Sequence, residues 1–191
     1  MNNMLKKMDF ILELDKLKAI LRKSKPLGLD RYENSAEHSW HVCMLAMVLT
    51  EDASPEVDSF KVIKMLLLHD IVEIDAGDVL VYDTKKRAEA YEKELHAAKR
   101  IFGLLPKHLN EEFLDIWIEF EKGISRESLF AQAIDRVIPV LQNINNNGQS
   151  WQENNISLKQ VLEKNSVIAH ANPLLWEHIK EKLENSPFWE K

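Results

Sequence analysis

The run Val62-Ile63-Lys64-Met65-Leu66-Leu67-Leu68-His69-Asp70-Ile71-Val72-Glu73 constrains the fold more than any other part of this 191-residue chain. Read as part of a helix over 58–74, it is apolar on nearly all sides. A helix with no polar face has nothing to offer water and must run through the middle of a core. Other helices have to wrap it, and the sequence provides them. Phe10, Leu14, Leu17 and Leu21 share one face of a helix over 5–23. Asn34, with Glu37 three residues on, marks the N-cap and capping-box partner of a helix over 36–51. Ser54 and Pro55 punctuate the connection that follows. Further helices are expected over 84–105, 107–122, 127–143, 158–170 and 173–185. Only five glycines and six prolines occur, and no alternating strand pattern, repeat or linker is visible. The expectation is an all-α fold in a single domain over 1–191. Its core motifs lie in 22–141, and C-terminal helices in 157–186 pack on them. The polar, Gly-containing segment 143–157 reads as a mobile loop.

The balance of 45% hydrophobic and 29% charged residues is that of an ordinary globular protein. A net charge of −6 argues against a nucleic-acid polymer as partner, because tracking a phosphate backbone needs clustered Lys and Arg. A mononucleotide needs only a local basic pocket. Cys43 is the one cysteine, which leaves no intrachain disulfide and no cysteine-based zinc knuckle, and it reads as a small core residue. Residues 1–7 are basic but lack the apolar run of a signal peptide, and no apolar stretch is long enough to span a membrane. These features lead us to expect a cytoplasmic protein with no membrane partner.

Burying an imidazole and a carboxylate inside the Val62–Glu73 run costs on the order of 2–7 kcal/mol per unsatisfied polar group, so something must compensate His69 and Asp70. Glu73 lies one turn beyond His69. His38 opens a second buried-looking helix, and Asp135 sits among Ile134, Val137 and Ile138 in a third. Two His and two Asp make a mixed nitrogen and oxygen set that suits one divalent ion such as Co, Mn, Zn, Fe or Mg. With no thiolate, such a site would be catalytic rather than structural. Spacing alone does not bring the three helices together, and a hydrogen-bonded core pair is the competing reading of His69 and Asp70.

The order His38, His69-Asp70, Asp135 resembles the H…HD…D signature of the HD-domain superfamily of metal-dependent phosphohydrolases. The strings Arg31-Tyr32-Glu33-Asn34-Ser35-Ala36-Glu37-His38-Ser39 and His69-Asp70-Ile71-Val72-Glu73-Ile74-Asp75-Ala76-Gly77-Asp78 are similar to the branch containing the bacterial 5'-deoxynucleotidases. The resemblance covers roughly 14–141. It implies an HD-domain helical bundle in which His38, His69, Asp70 and Asp135 bind one divalent ion. It also implies that Glu73 works on the attacking water, with Asp70 beside it, and that Asp78 lies against the sugar. The phosphate-holding arginine of that branch corresponds to Arg22, with Arg31 the other candidate. Lys23 stands where relatives carry an aromatic residue, and Val79 replaces the proline common after the Gly-Asp pair.

The resemblance therefore implies hydrolysis of nucleoside 5'-monophosphates, in the first place 5'-deoxyribonucleotides, by an enzyme often found as a homodimer. Two alternatives stay open: phosphodiester or pyrophosphate hydrolysis of the HD type, and a non-catalytic regulatory module stabilised by metal. Among the remaining residues, Glu37 reads as a cap, His41 as a packing residue, and Asp75 and Asp83 as loop or cap residues. Trp117, Trp176 and Trp189 are expected to pack a core or a subunit contact, and Trp40 is the aromatic closest to His38 in sequence.

Overall fold

The computed structural model describes residues 2–52 and 56–189; the Ser54–Pro55 punctuation lies outside them. Ten α-helices form among the described residues: α1 (Asn3–Leu14), α2 (Ser35–Leu49), α3 (Ser59–Leu68), α4 (Glu73–Ala76), α5 (Thr84–Phe102), α6 (Lys107–Lys122), α7 (Arg126–Asn145), α8 (Gln149–Glu153), α9 (Leu158–Asn165) and α10 (Pro173–Glu184). Short 3-10 turns link several of them. No strand forms among these residues, and the fold is all-α; a lone bridge joins Leu21 to Asn34.

The central helix behaves as its sequence requires. Val62, Met65 and Leu66 are wholly buried, and α3 packs against α2, α6 and α7. Its length differs from expectation. The α-helix stops at Leu68, and His69–Val72 is a 3-10 turn leading into α4. The indole Nε1 of Trp117 donates to the His69 carbonyl at 3.2 Å, satisfying it from outside, while the Glu73 N–H donates to the Asp70 carbonyl within the tighter turn. The first helix also ends early. After α1 the chain makes a 3-10 turn over Asp15–Ala19, and from Ile20 it runs extended, so Arg22 sits on an irregular segment rather than a helix end.

A first hydrophobic cluster fills the space between α2, α3, α5, α6 and the first half of α7. A second gathers Val137 and Val140 of α7 with Trp151, Val161, Ile168, Trp176, Ile179 and Leu183. Helix α7 therefore belongs to both clusters and joins the C-terminal helices to the rest. The 143–157 segment is not the mobile loop expected. Helix α8 forms there and seats Trp151 at 2% exposure in the second cluster. Gly148 makes the turn into it at φ +70°, where a Cβ would lie 2.6 Å from the Phe188 ring.

Candidate active site and metal centre

Asn34 caps α2 by accepting from the Glu37 N–H at 3.0 Å, which fixes the first turn and buries His38 completely. The second half of the expected capping box is absent, because Glu37 forms a two-pronged pair with Arg31 instead, at 2.8 and 2.9 Å. From α2, His38 projects across to α7, where its Nε2 lies 2.8 Å from Asp135 Oδ1. In α7, Pro139 sits four residues after Asp135 and cannot supply the N–H that the Asp135 carbonyl would normally accept. From the 3-10 turn comes His69, whose Nδ1 donates to the Leu66 carbonyl at 2.9 Å. That bond aims the other nitrogen inward. His69 Nε2 is buried 3.0 Å from Asp70 Oδ1 and 3.5 Å from Asp135 Oδ1, aligned with neither for a hydrogen bond.

Three helical elements thus converge, as spacing alone does not reveal. Ligand atoms of His38, His69 and Asp135 lie within 4.8 Å of one another, all three side chains buried. A buried imidazole nitrogen without a hydrogen-bond partner, flanked by carboxylate oxygens, is the donor chemistry a divalent cation requires. Asp70 stands beside this group but outside it: its Oδ2 accepts from Arg22 Nη1 at 2.7 Å.

The charges are strongly perturbed. Burial works against a protonated His69, yet Asp70 and Asp135 beside it hold its pKa well above the ordinary histidine value. Burial pushes Asp70 up, but His69 and Arg22 outweigh it and bring the carboxyl down to about 2. Asp135 is likewise held well below the usual range: burial pushes it up, but its hydrogen bond with His38 and the neighbouring His69 and Arg136 outweigh that. Glu73 goes the other way. Burial first, then the neighbouring charges of Asp70 and Asp78, keep it well above an ordinary carboxylate. Ser35 donates to its Oε2 at 2.5 Å. Burial also raises Asp78, with Arg22 opposing.

A cavity of about 300 Å³ joins these groups, within the range of small-molecule sites. Arg22, Asp70, Glu73, Asp78 and Asp135 all line it. Arg31 does not: it is half exposed and clamped to Glu37, so of the two arginines only Arg22 reaches the cavity. Trp40 is 63% exposed on the outer face of α2, away from the cavity. Asp75 pairs with Arg100 and Asp83 caps α5. Trp117 and Trp176 are buried.

Sequence reasoning missed three residues here. Glu33, one of two carboxylates near enough in sequence to pair with Arg31, is 2% exposed and sits behind the site. It accepts from Gln142 Nε2 at 2.7 Å and lies 3.4 Å from His38 Nδ1 and 3.7 Å from Arg22 Nε. Its place five residues before His38, just ahead of the α2 cap, was the signal available. Arg136, hidden next to Asp135, brings a further guanidinium into the cavity lining. Tyr82 closes another part of the wall, hydrogen-bonded to Trp151 and Asn165 from the C-terminal helices. Neither pattern nor spacing announced the last two.

Comparison with known proteins agrees with this geometry. A solved structure from Magnetospirillum magnetotacticum, described as a predicted metal-dependent phosphohydrolase, superposes with a TM-score of 0.90 at 36% identity over 96% of this chain and 95% of that one. An HD-domain phosphohydrolase from Listeria innocua shares the fold, with a TM-score of 0.69 at 22% identity over 96% and 92%. Among curated proteins, the human 5'-deoxynucleotidase HDDC2 is 29% identical over 115 residues, which are 60% of this chain and 55% of that protein. The Dictyostelium discoideum protein of the same name is 29% identical over 142 residues, 71% of this chain and 75% of that protein. The chain thus spans little more than half the length of the human relative. The profile described as HD domain matches residues 14–176, a span that takes in every residue of the converging His and Asp cluster, and the chain belongs to the HD-domain family.

Proposed function

We propose that this protein is a metal-dependent phosphohydrolase that removes phosphate from nucleoside 5'-monophosphates, 5'-deoxyribonucleotides foremost. The observation that carries the reading is the meeting, in one cavity, of a buried His and Asp cluster, a carboxyl with a raised pKa, and an arginine. The names of the curated relatives support the substrate class. His38, His69, Asp70 and Asp135 would hold one divalent ion, with Co, Mn, Zn, Fe and Mg as the candidates. When bound, such an ion supplies a Lewis acid for the phosphoryl group.

The protein's own residues do the rest. Glu73, steadied by Ser35, takes a proton from the attacking water, a task suited to a carboxyl whose pKa burial has raised. Arg22 exchanges its Asp70 contact for the substrate phosphate and offsets the charge that builds up during P–O cleavage. Asp78 faces the sugar. Water's oxygen ends on phosphorus and the ester oxygen leaves as the 5'-hydroxyl, taking a proton from solvent while Glu73 returns its own to solvent, giving a nucleoside and inorganic phosphate. Asp70, Glu73, Asp78 and Asp135 outnumber Arg22, Lys23 and Arg136 in the cavity wall, which favours a single phosphate over a polyphosphate. We further propose a cytoplasmic setting and a homodimer. No helix among the described residues is long and apolar enough to cross a membrane. Trp40, Met44, Met47 and Val48 form an exposed apolar stripe on α2 fit for a second copy.

Phosphate release from a panel of 5'-ribo- and 5'-deoxyribonucleotides with several divalent metals tests the reading. The wild type should release phosphate only with metal, and Asp70→Ala should lose nearly all of it. Glu73→Gln should keep its fold and bound metal yet lose about 10²-fold or more in rate. No release from any monophosphate by a metal-loaded wild type would overturn the proposal.

A further inference from the structure

Two of the buried side-chain nitrogens without a hydrogen-bond partner among the described residues, His38 Nδ1 and Arg22 Nε, lie beside the same carboxylate oxygen. Glu33 Oε2 is 3.4 Å from the first and 3.7 Å from the second. The Ser24 hydroxyl is the third group near that oxygen, donating to it at 3.5 Å. The other oxygen, Oε1, accepts from Gln142 Nε2 at 2.7 Å. Glu33 is 2% exposed and His38 is wholly buried, so neither can turn to bulk solvent instead. The backbone holds Glu33 in this place independently. The Arg22 N–H donates to the Glu33 carbonyl at 2.8 Å, and the Glu33 N–H donates to the Ser24 carbonyl at 2.9 Å. Asn34, the next residue, caps α2. Glu33 is thereby fixed between the Arg22 segment and α2, and α7 fixes its side chain through Gln142. It does not line the cavity.

We infer that Glu33 is a positioning residue for the metal centre, accepting the Nδ1 hydrogen of His38 and so fixing which ring nitrogen His38 presents to the ion. The inference rests on the proposed metal site and adds a residue to it. His38 Nε2 is the nitrogen on the side of the cluster, 2.8 Å from Asp135 Oδ1. A metal is held by the lone pair of a neutral imidazole. With Nε2 so used, the ring carries its one hydrogen on Nδ1. Glu33 Oε2 is the acceptor beside that nitrogen. A carboxylate behind a ligating imidazole sets its tautomer, holds the ring in plane and makes it a stronger ligand. The same oxygen steadies Arg22 through its charge near Nε, while Nη1 stays on Asp70. Glu33 thus serves a metal ligand and the arginine together and touches neither ion nor substrate.

The test uses the full chain with zinc as the probe. Zinc affinity is read by competition with a chromophoric chelator for the wild type, Glu33→Leu and Glu33→Gln. Leucine accepts nothing, and Glu33→Leu should bind zinc about 10- to 100-fold more weakly. Glutamine can still accept from Nδ1 with its amide oxygen, and Gln142 can turn its own Oε1, which has no partner, toward the new amide hydrogens. That trades a charge-assisted hydrogen bond for a neutral one of about half the strength, so Glu33→Gln should lose only about three- to tenfold. Histidine side-chain NMR of the zinc-loaded protein gives a second readout, which needs only the wild type and Glu33→Gln and so holds even if Glu33→Leu does not fold. The hydrogen of His38 should sit on Nδ1, and its signal should move upfield in Glu33→Gln. A Glu33 that only supports the fold would lower the Tm of the metal-free variants and leave zinc affinity and that signal alone. Equal zinc affinity in wild type and variants overturns the inference, as does a hydrogen on Nε2 or an Nδ1 signal unmoved by Glu33→Gln. The proposed function would survive any of these if the wild type releases phosphate from monophosphates. Glu33-dependent zinc binding by a chain that hydrolyses no monophosphate would overturn the proposed function and keep the role of Glu33. A wild type that binds no zinc would overturn the inference.

Discussion

Two carboxylates pressing on one imidazole make His69 the most informative single residue. Asp70 and Asp135 raise its pKa well above 6.5 despite its burial. A folded-state pKa above the unfolded one adds stability that is fully present below pH 6.5 and is lost as pH rises through the folded value. Asp70 works in the opposite sense and in another window. Its pKa falls from 3.8 to about 2, so its contribution is present above pH 3.8 and disappears as pH drops toward 2. A divalent ion needs the neutral imidazole, and therefore competes with the proton that stabilises the stripped protein. Metal-stripped protein should lose stability between pH 6 and 8.5 while the gain from added metal grows. Each tenfold rise in affinity adds about 1.4 kcal/mol, on the order of 3 °C in Tm for a chain of this size. Thermal unfolding with and without metal at pH 6, 7 and 8.5 checks this, and a metal-induced shift independent of pH would count against His69 as a ligand. The His69 and Asp70 pair was legible in the sequence because two ionisable groups in an apolar run demand compensation. Glu33 was not, because nothing local distinguishes a carboxylate that pairs with Arg31 at the surface from one folded inward behind His38.

At the scale of elements, the helices were read where apolar periodicity and caps agree, and misread where tertiary contacts override them. Helix α6 falls where the sequence puts it, between Pro106 and the left-handed Gly123. The 58–74 helix splits at Leu68 because Trp117, 48 residues away, supplies a donor that no local pattern contains. The 143–157 segment was taken for a loop on its Asn-rich, polar composition. It folds because Trp151 stacks on Trp189 at 5.4 Å and caps the second cluster, which in turn supports Tyr82 and the cavity wall. Gly148 holds this arrangement in two ways: φ is +70°, and the Phe188 ring occupies the space a Cβ would need. Gly148→Ala should therefore destabilise the protein by about 1–3 kcal/mol. The effect should reach function through the wall, raising KM for nucleotides more than it lowers kcat. Urea unfolding and steady-state kinetics together check this, and a neutral Gly148→Ala would show that the α8 turn tolerates strain.

At the scale of the whole molecule, convergence is what the sequence could not supply. His38, the His69-Asp70 pair and Asp135 were all named from local context, but only the packing of α2 and α3 against α7 puts the ligand atoms of His38, His69 and Asp135 together, with Asp70 beside them. The outer surface poses the complementary problem. Core burial accounts for one side of α2, yet Trp40, Met44, Met47 and Val48 recur at helical spacing on the other and are left exposed, as are Met4, Leu5, Met8, Ile11 and Leu12 of α1. Monomeric proteins rarely leave contiguous apolar patches of this kind to water, and a self-complementary patch is the usual basis of a two-fold dimer. On the proposed homodimer, light scattering coupled to size exclusion should give twice the monomer mass at micromolar concentration. Replacing Met47 and Val48 together by Glu and Lys should return the single-chain mass and leave metal binding intact, because neither residue lines the cavity. A wild type that runs as a monomer at tens of micromolar would exclude the second copy as the cover of this face.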